Sequence, residues 1–137
     1  MIIRKFEVGD LDKIAIQAEQ RHELENGAFF KTENCFTLVD GEEINGVFGF
    51  IEIYKGRVVV FSFISAKAGK HLLSLTKRLR KMIDDGMERT GTERVEMEVV
   101  SGFIHGERFA KLLGFECEGV MRKYYRGKDY KLYARVK

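Results

Sequence analysis

Apolar residues open the chain at Ile2, Ile3, Phe6 and Val8, a spacing that predicts a strand over residues 2–8. Gly9-Asp10 stops it, and Asp10 is a suitable N-cap for a helix from Leu11. Leu11, Ile14, Ala15 and Ala18 recur at helical spacing, so that helix should reach Glu23 or Leu24 and close at Asn26-Gly27. Residues 28–33, with Phe29 and Phe30, read as a connector. Strands are predicted over 34–39, 47–54 and 57–64. Asp40-Gly41 and Asn45-Gly46 bracket the first turn of this antiparallel meander, and Lys55-Gly56 makes the second. The third strand is apolar on both faces (Val58, Val59, Val60, Phe61, Phe63, Ile64), as a central strand covered on both sides would be.

The longest helical pattern follows, over residues 68–89, with Leu72, Leu75, Leu79, Met82 and Ile83 as its apolar stripe and Gly91 as its stop. Residues 94–100 are strand-like. A strand reached through a helix implies a right-handed crossover, so 94–100 should run parallel to 57–64. After Ser101-Gly102 comes a short helix near 105–113, ended by Gly114. A hairpin of 115–126 and 129–136 turns at Gly127-Lys128, with Tyr130, Leu132, Ala134 and Val136 alternating on one face. The order β-α-β-β-β-α-β-α-β-β describes a single α/β domain over residues 1–137. Its sheet should be mixed and mostly antiparallel, of about seven strands, with helices on both faces.

Composition narrows the function more by exclusion than by indication. With 45% hydrophobic residues in 137, the chain can bury a real core. No apolar run approaches the ~20 residues of a membrane span, and the N-terminus lacks the order of a signal peptide. Cys35 and Cys117 make neither a disulfide framework nor a metal spacing, so a reducing cytoplasm is the expected setting. His22, His71 and His105 have no ligand spacing either, so no metal is expected. Nothing orders Cys117 with His105 for nucleophilic catalysis, and Gly-x-Ser-x-Gly is absent.

The element order resembles the GNAT superfamily of acyl-CoA-dependent N-acetyltransferases, and local sequence adds to the likeness. Ile3-Arg4-Lys5-Phe6 and Gly9-Asp10-Leu11-Asp12-Lys13-Ile14 look like the family's first strand and helix. The segment 109–120, with Leu113-Gly114-Phe115 at its turn, looks like its fourth helix and following strand. Residues 125–130 and 132–136 look like its closing hairpin. A narrower likeness is to small GNAT-like bacteriophage late proteins, some of them virion or assembly components. These share the basic third helix and an eroded loop before it.

The resemblance implies that acetyl-CoA is held by its pyrophosphate on backbone amides at the start of the helix predicted at 68–89. Unpaired N–H groups and the positive dipole end favour an anion there. The family's loop, Arg/Gln-x-x-Gly-x-Gly/Ala, aligns with Ile64-Ser65-Ala66-Lys67-Ala68-Gly69. Only Gly69 matches; Lys67 stands at the first glycine and Ile64 at the Arg/Gln position. The implied cofactor-binding set is Ile64, Ser65, Lys67, Ala68, Gly69, Lys70 and His71, with the amides of Ala68, Gly69 and Lys70 against the pyrophosphate. An ordinary strand-to-helix turn with solvated lysines is the competing reading.

Direct transfer to an amine needs a base, an oxyanion donor and an acid for the departing thiolate. In the family the acid is a tyrosine on the fourth helix; here that position, four before Gly114, is Ala110. Tyr124 or Tyr125 could replace it. Glu52, Glu96 and Glu98 are the strand carboxylates, and Glu96 and Glu98 share a face. Glu98 and Tyr124 are taken as the catalytic candidates. The acceptor would be a primary amine, on a small molecule or a protein, and the resemblance admits a homodimer.

Lys67, Lys70, His71, Lys77, Arg78 and Lys81 fall near one helical face, with Arg80 adjoining. The C-terminal hairpin interleaves Arg122, Lys123, Arg126, Lys128, Lys131, Arg135 and Lys137 with tyrosines, a pattern shared by single-strand nucleic-acid platforms. Half-exposed strands show the same alternation, and acids elsewhere reduce the net charge to +3. Nucleic acid is not expected as the partner. The reading is therefore an N-acetyltransferase, with a catalytically inactive GNAT-fold binding or virion component as the alternative.

Overall fold

A computed structural model describes residues 2–24 and 34–137. Seven strands lie in the order β1-β2-β3-β4-β5-β7-β6. The chain packs as two units, one from residues 1–51 and 61–70 and the other from 52–60 and 71–137.

In the first unit, β1 (Ile2–Lys5) runs antiparallel to β2 (Cys35–Asp40), which runs antiparallel to β3 (Glu43–Tyr54). Asn45-Gly46 is not a turn, as the sequence had suggested, but lies inside β3. Leu38 pairs with Gly46 and Val39 with Ile44, leaving Asn45 as a bulge. Glycine at 46 has a packing reason. A Cβ there would stand 3.0 Å from Ile64 Cδ1 and 3.1 Å from the Phe63 carbonyl oxygen. Ile14, Val39, Ile44 and Phe63 form this unit's core, with Leu11, Ile16, Leu24 and Phe61 packed against them.

The continuous helix expected from Leu11 is broken. Asp10–Lys13 and Ala18–Gln20 are single 3₁₀ turns, Ile14 between them is extended (φ −96°, ψ 141°), and α1 is described over Arg21–Leu24. Tertiary partners take one backbone carbonyl and two side-chain amides of this segment. The Ala15 carbonyl accepts the Ala66 N–H at 2.9 Å. Gln17 donates to the Ile64 carbonyl at 3.0 Å, and Gln20 to that of Ser62 at 2.9 Å. Asp10 caps nothing; Gly9, with φ 98°, is the N-cap and Asp10 is buried. The expected Asn26-Gly27 stop and the 28–33 connector lie outside the described residues.

β4 (Arg57–Ile64) and β5 (Arg94–Val100) match the sequence reading; the part of β4 in the second unit runs parallel to β5, from Arg57 opposite Arg94 to Val60 opposite Met97. Between them a 3₁₀ turn, Gly69–His71, leads into α2 (Leu72–Thr90), which buries Leu75, Thr76, Leu79, Ile83 and Met87. Gly91 caps α2 in the left-handed region, as expected. After α3 (Ile104–Leu112), β6 (Glu116–Tyr125) and β7 (Lys128–Val136) form the hairpin, and β7 lies between β6 and β5. The turn is Arg126-Gly127 rather than Gly127-Lys128, because Tyr125 pairs with Lys128 and both turn residues have positive φ. β7 is buried on both faces. Tyr130 and Ala134 lie on one, Tyr133 on the other, and Val136, expected inside, is exposed. Tyr133 reaches Glu107 of α3, and Arg135 donates to the Leu113 carbonyl and pairs with Asp84. The odd residues of β7 therefore face the helices. No helix among the described residues is long and apolar enough to cross a membrane.

Candidate active site

Two clusters carry the sequence-derived candidates, one in each unit. In the first unit the chain leaves β4 through Ile64 and Ser65, both buried. The Ile64 side chain packs beside Gly46, so it belongs to the core. The Ser65 N–H donates to the Asn45 carbonyl at 2.8 Å. Ser65 also organises the turn: its hydroxyl accepts the Lys67 N–H at 3.1 Å, and its carbonyl accepts the Ala68 N–H at 3.1 Å. The Ala68 amide, expected to face pyrophosphate, is thus already engaged by the turn, and its methyl is buried. Gly69 and Lys70 differ. They open the 3₁₀ turn, so helix geometry gives their N–H groups no partner within it. Nothing lies within 4 Å of where a Gly69 Cβ would stand. Lys67 and Lys70 are exposed and His71, which opens the second unit, is half-buried. Two amides without a partner in the turn thus lie in a segment that also carries two exposed lysines.

In the second unit the decisive strand is β5. Alternation sends Val95, Met97 and Val99 toward the helices, and a Cβ on Gly106 of α3 would touch Val99. Glu96 and Glu98 therefore lie on the other face. Their environments differ. Glu96 is buried, taking Arg57 through two bonds of 2.6 and 2.9 Å and Arg94 through one of 3.1 Å. Arg94 also pairs with Glu118 at 2.5 Å. The Arg57 guanidinium above all, then Arg94, holds the Glu96 carboxyl below the usual range against the opposing push of burial. Such a carboxylate, its charge met by two guanidinium groups, is a poor proton acceptor.

Glu98 is half-buried and accepts the Tyr124 hydroxyl at 2.7 Å. The two catalytic candidates are thus in direct contact. Tyr124 comes from β6 and reaches across β7, its ring 5.6 Å from that of Tyr130. Burial, then the hydrogen bond to Glu98, pushes its phenol up to about 12. Tyr125 instead sets its ring edge-on to Tyr130 with Arg126 over it. Glu52 is exposed.

Sequence reasoning did not foresee the arginines that remove Glu96 from contention. The only signal was their position, Arg57 and Arg94 each beginning a strand of the parallel pair. It also took Asp10 for a cap. Asp10 instead accepts Arg4 twice (2.8 and 2.9 Å), Thr37 Oγ1 (2.6 Å) and the Glu7 N–H (2.8 Å). Burial pushes the Cys35 thiol up to about 11, leaving it inert at neutral pH, whereas Cys117 is exposed. The basic face of α2 is partly neutralised. Lys81 pairs with Asp85 at 2.8 Å, and Arg80 donates to the Leu112 carbonyl.

No family model matches the sequence, and a search of curated proteins finds no match. Solved structures do match. An acetyltransferase of the GNAT family from Bacillus anthracis superimposes with a TM-score of 0.72 at 15% identity, over 98% of this chain and 93% of that one. A variant of spermidine N-acetyltransferase from Vibrio cholerae gives 0.69 at 16%, over 99% and 95%. The microcin C7 self-immunity acetyltransferase, solved with acetyl-CoA and AMP, gives 0.65 at 21%, over 75% and 60%. Strand order, the parallel β4–β5 pair and these superpositions agree: the chain has the fold of the GNAT acetyltransferases and resembles that superfamily over nearly its whole length.

Proposed function

We propose that the protein is an acyl-CoA-dependent N-acetyltransferase, a single domain acting in the cytoplasm, that moves an acetyl group from acetyl-CoA to a primary amine on a small molecule or a protein. The observation that carries this reading is the Tyr124–Glu98 hydrogen bond on the face of β5 opposite Val95, Met97 and Val99. A carboxylate and a phenol in contact can accept one proton and deliver another without net change. The ammonium first gives one proton to solvent; the free amine then attacks the thioester carbonyl, and Glu98 takes the second proton that the nitrogen loses after attack. Tyr124 supplies the proton needed by the thiolate released when the C–S bond breaks, and recovers one from Glu98. Acetyl-CoA supplies the thioester. The amides of Gly69 and Lys70, with the ammonium groups of Lys67 and Lys70, hold its pyrophosphate. The spermidine N-acetyltransferase supports the acceptor class by its name, and the microcin C7 self-immunity acetyltransferase, solved with acetyl-CoA, supports the donor.

A second reading has its own observation. Lys67 occupies the first-glycine position and the Ala68 amide is spent on Ser65, so the loop offers fewer donors than the family's. A GNAT-fold binding protein without transferase activity, such as a virion or assembly component, is consistent with that. Calorimetric titration with acetyl-CoA, and release of free thiol in the presence of a panel of amines, separates the two. The enzyme reading expects micromolar binding, loss of it in Gly69→Val with the fold intact, and turnover with at least one amine. Absence of binding to the wild-type chain overturns it and leaves the second reading.

A further inference from the structure

The hairpin that carries Tyr124 is irregular at two places, once between Cys117 and Gly119 and once beside Tyr124. Met121 pairs with Tyr130 and Tyr125 with Lys128, so residues 122, 123 and 124 stand opposite Asp129 alone. Lys123, inside this bulge, has φ 48°, the left-handed region that non-glycine residues seldom adopt. One side-chain bond meets it: the Lys123 N–H donates to Asp129 Oδ1 at 2.9 Å. The bulge changes what the strand can present. In a regular strand, neighbouring side chains point to opposite faces. Here Tyr124 and Tyr125 both pack their rings against Tyr130. Tyr130 pairs with Val100 and, like Leu132 opposite Glu98, lies on the face of β5 that carries Glu98. Were pairing to continue unbroken from Met121, alternation would send Tyr124 to the helix-covered face, away from Glu98.

We propose that Asp129 is a positioning residue: by accepting the Lys123 N–H it fixes the bulge that turns Tyr124 across β7 onto Glu98. Asp129 touches neither Tyr124 nor Glu98 through any bond on its side chain, and its own carbonyl is held by the Ser101 N–H at 2.8 Å, which anchors it from β5's end. The inference deepens the proposed acid–base role of Tyr124 and rests on that reading for its catalytic consequence, but its structural core does not.

The test therefore has two readouts. The first needs no turnover: absorbance of the Tyr124 phenolate at pH 11, taken as the difference between each chain and its Tyr124→Phe counterpart. A phenol held near 12 is about one-tenth ionised there, and one released to about 10 is about nine-tenths ionised. Asp129→Ala is expected to raise the ionised fraction severalfold. Asp129→Asn, which keeps the oxygen acceptor, is expected to leave it low, and Lys123→Gly added to Asp129→Ala, which removes the cost of the left-handed residue, should restore it in part. Should Asp129→Ala fail to fold, Lys123→Val attacks the same bulge at an exposed position, because a β-branched residue resists this backbone, and the same rise is expected. A fraction unchanged from wild type in Asp129→Ala, or in Lys123→Val, overturns the inference. The second readout is acetyl transfer, where Asp129→Ala should lower kcat about tenfold with the KM for acetyl-CoA unchanged. Equal loss of kcat in Asp129→Asn would also overturn it. A wild-type chain without transfer activity refutes the proposed function alone, and the absorbance still decides the role of Asp129.

Discussion

Asp10 and Glu98 each accept a hydroxyl, from Thr37 at 2.6 Å and from Tyr124 at 2.7 Å, and the likeness ends there. Asp10 is 2% exposed and takes four donors, two of them from one guanidinium. A carboxylate has about four lone-pair sites, so nothing is left for chemistry. Its bonds join β1, the turn after it and β2, and its role is to hold that corner. Glu98 meets no arginine and keeps lone pairs for an incoming proton. Glu96, two residues away on the same face, falls with Asp10. Pairing with arginine separates the two carboxylates bound into the fold from Glu98.

The sharpest break of that comparison is Glu98→Gln. It should lower kcat for acetyl transfer by about 10²- to 10³-fold, the usual scale for a lost general base, while the melting temperature stays nearly unchanged. If Glu96→Gln produced that loss and Glu98→Gln did not, arginine pairing would be the wrong criterion. Asp10→Ala should act the other way, leaving Arg4 and the buried Thr37 hydroxyl without their acceptor. We expect a loss of about 2–3 kcal/mol in urea unfolding, with acetyl-CoA affinity retained in the folded fraction. Glu96→Gln should cost less, about 1 kcal/mol, since its arginines are partly exposed and water replaces part of the pairing.

Unfolding measured against pH sharpens the same contrast. Arg4 holds Asp10 below the ordinary range and Arg57 does so for Glu96. Their folded values lie under the unfolded ones near 4, so their stabilisation is present above that pH and is lost as pH falls below it. At the alkaline end the sign reverses. Burial raises the Cys35 thiol to about 11 and the Tyr124 and Tyr133 phenols to about 12, so the neutral forms stabilise the fold until pH climbs through roughly 9 to 12. A stability plateau at intermediate pH with both flanks falling is the expected profile; a flat acid flank down to pH 3 would contradict the pairing of Asp10. The smallest effect belongs to Lys77→Ala with Lys81→Ala. Lys81 already faces Asp85, and both residues lie two to three turns along α2, so acetyl-CoA affinity should stay within about threefold in calorimetry.

Periodicity alone determined where the chain regularises. The strands at 57–64 and 94–100 and the long helix between them were legible because their apolar spacing extends over whole elements, and a helix between two strands admits few topologies. The pairing of Glu98 with Tyr124 was half legible: the residue types suggested the chemistry, but three carboxylates and two tyrosines were equivalent on paper. What separated them is tertiary. Arg57 and Arg94 come from different strands to occupy Glu96, and a bulge whose signal is one left-handed lysine turns Tyr124 onto Glu98. The same holds at the other end of the chain. Leu11, Ile14, Ala15 and Ala18 carry a helical stripe, yet Ala15 bonds to Ala66, Gln17 to Ile64 at the end of β4, and Asp10 to Arg4 and Thr37. Local spacing encodes which residues prefer to be buried; partners from far along the sequence decide whether the backbone between them can remain a helix, because the Ala15 carbonyl is taken by Ala66 and the Gln17 side chain by Ile64, contacts no local pattern contains.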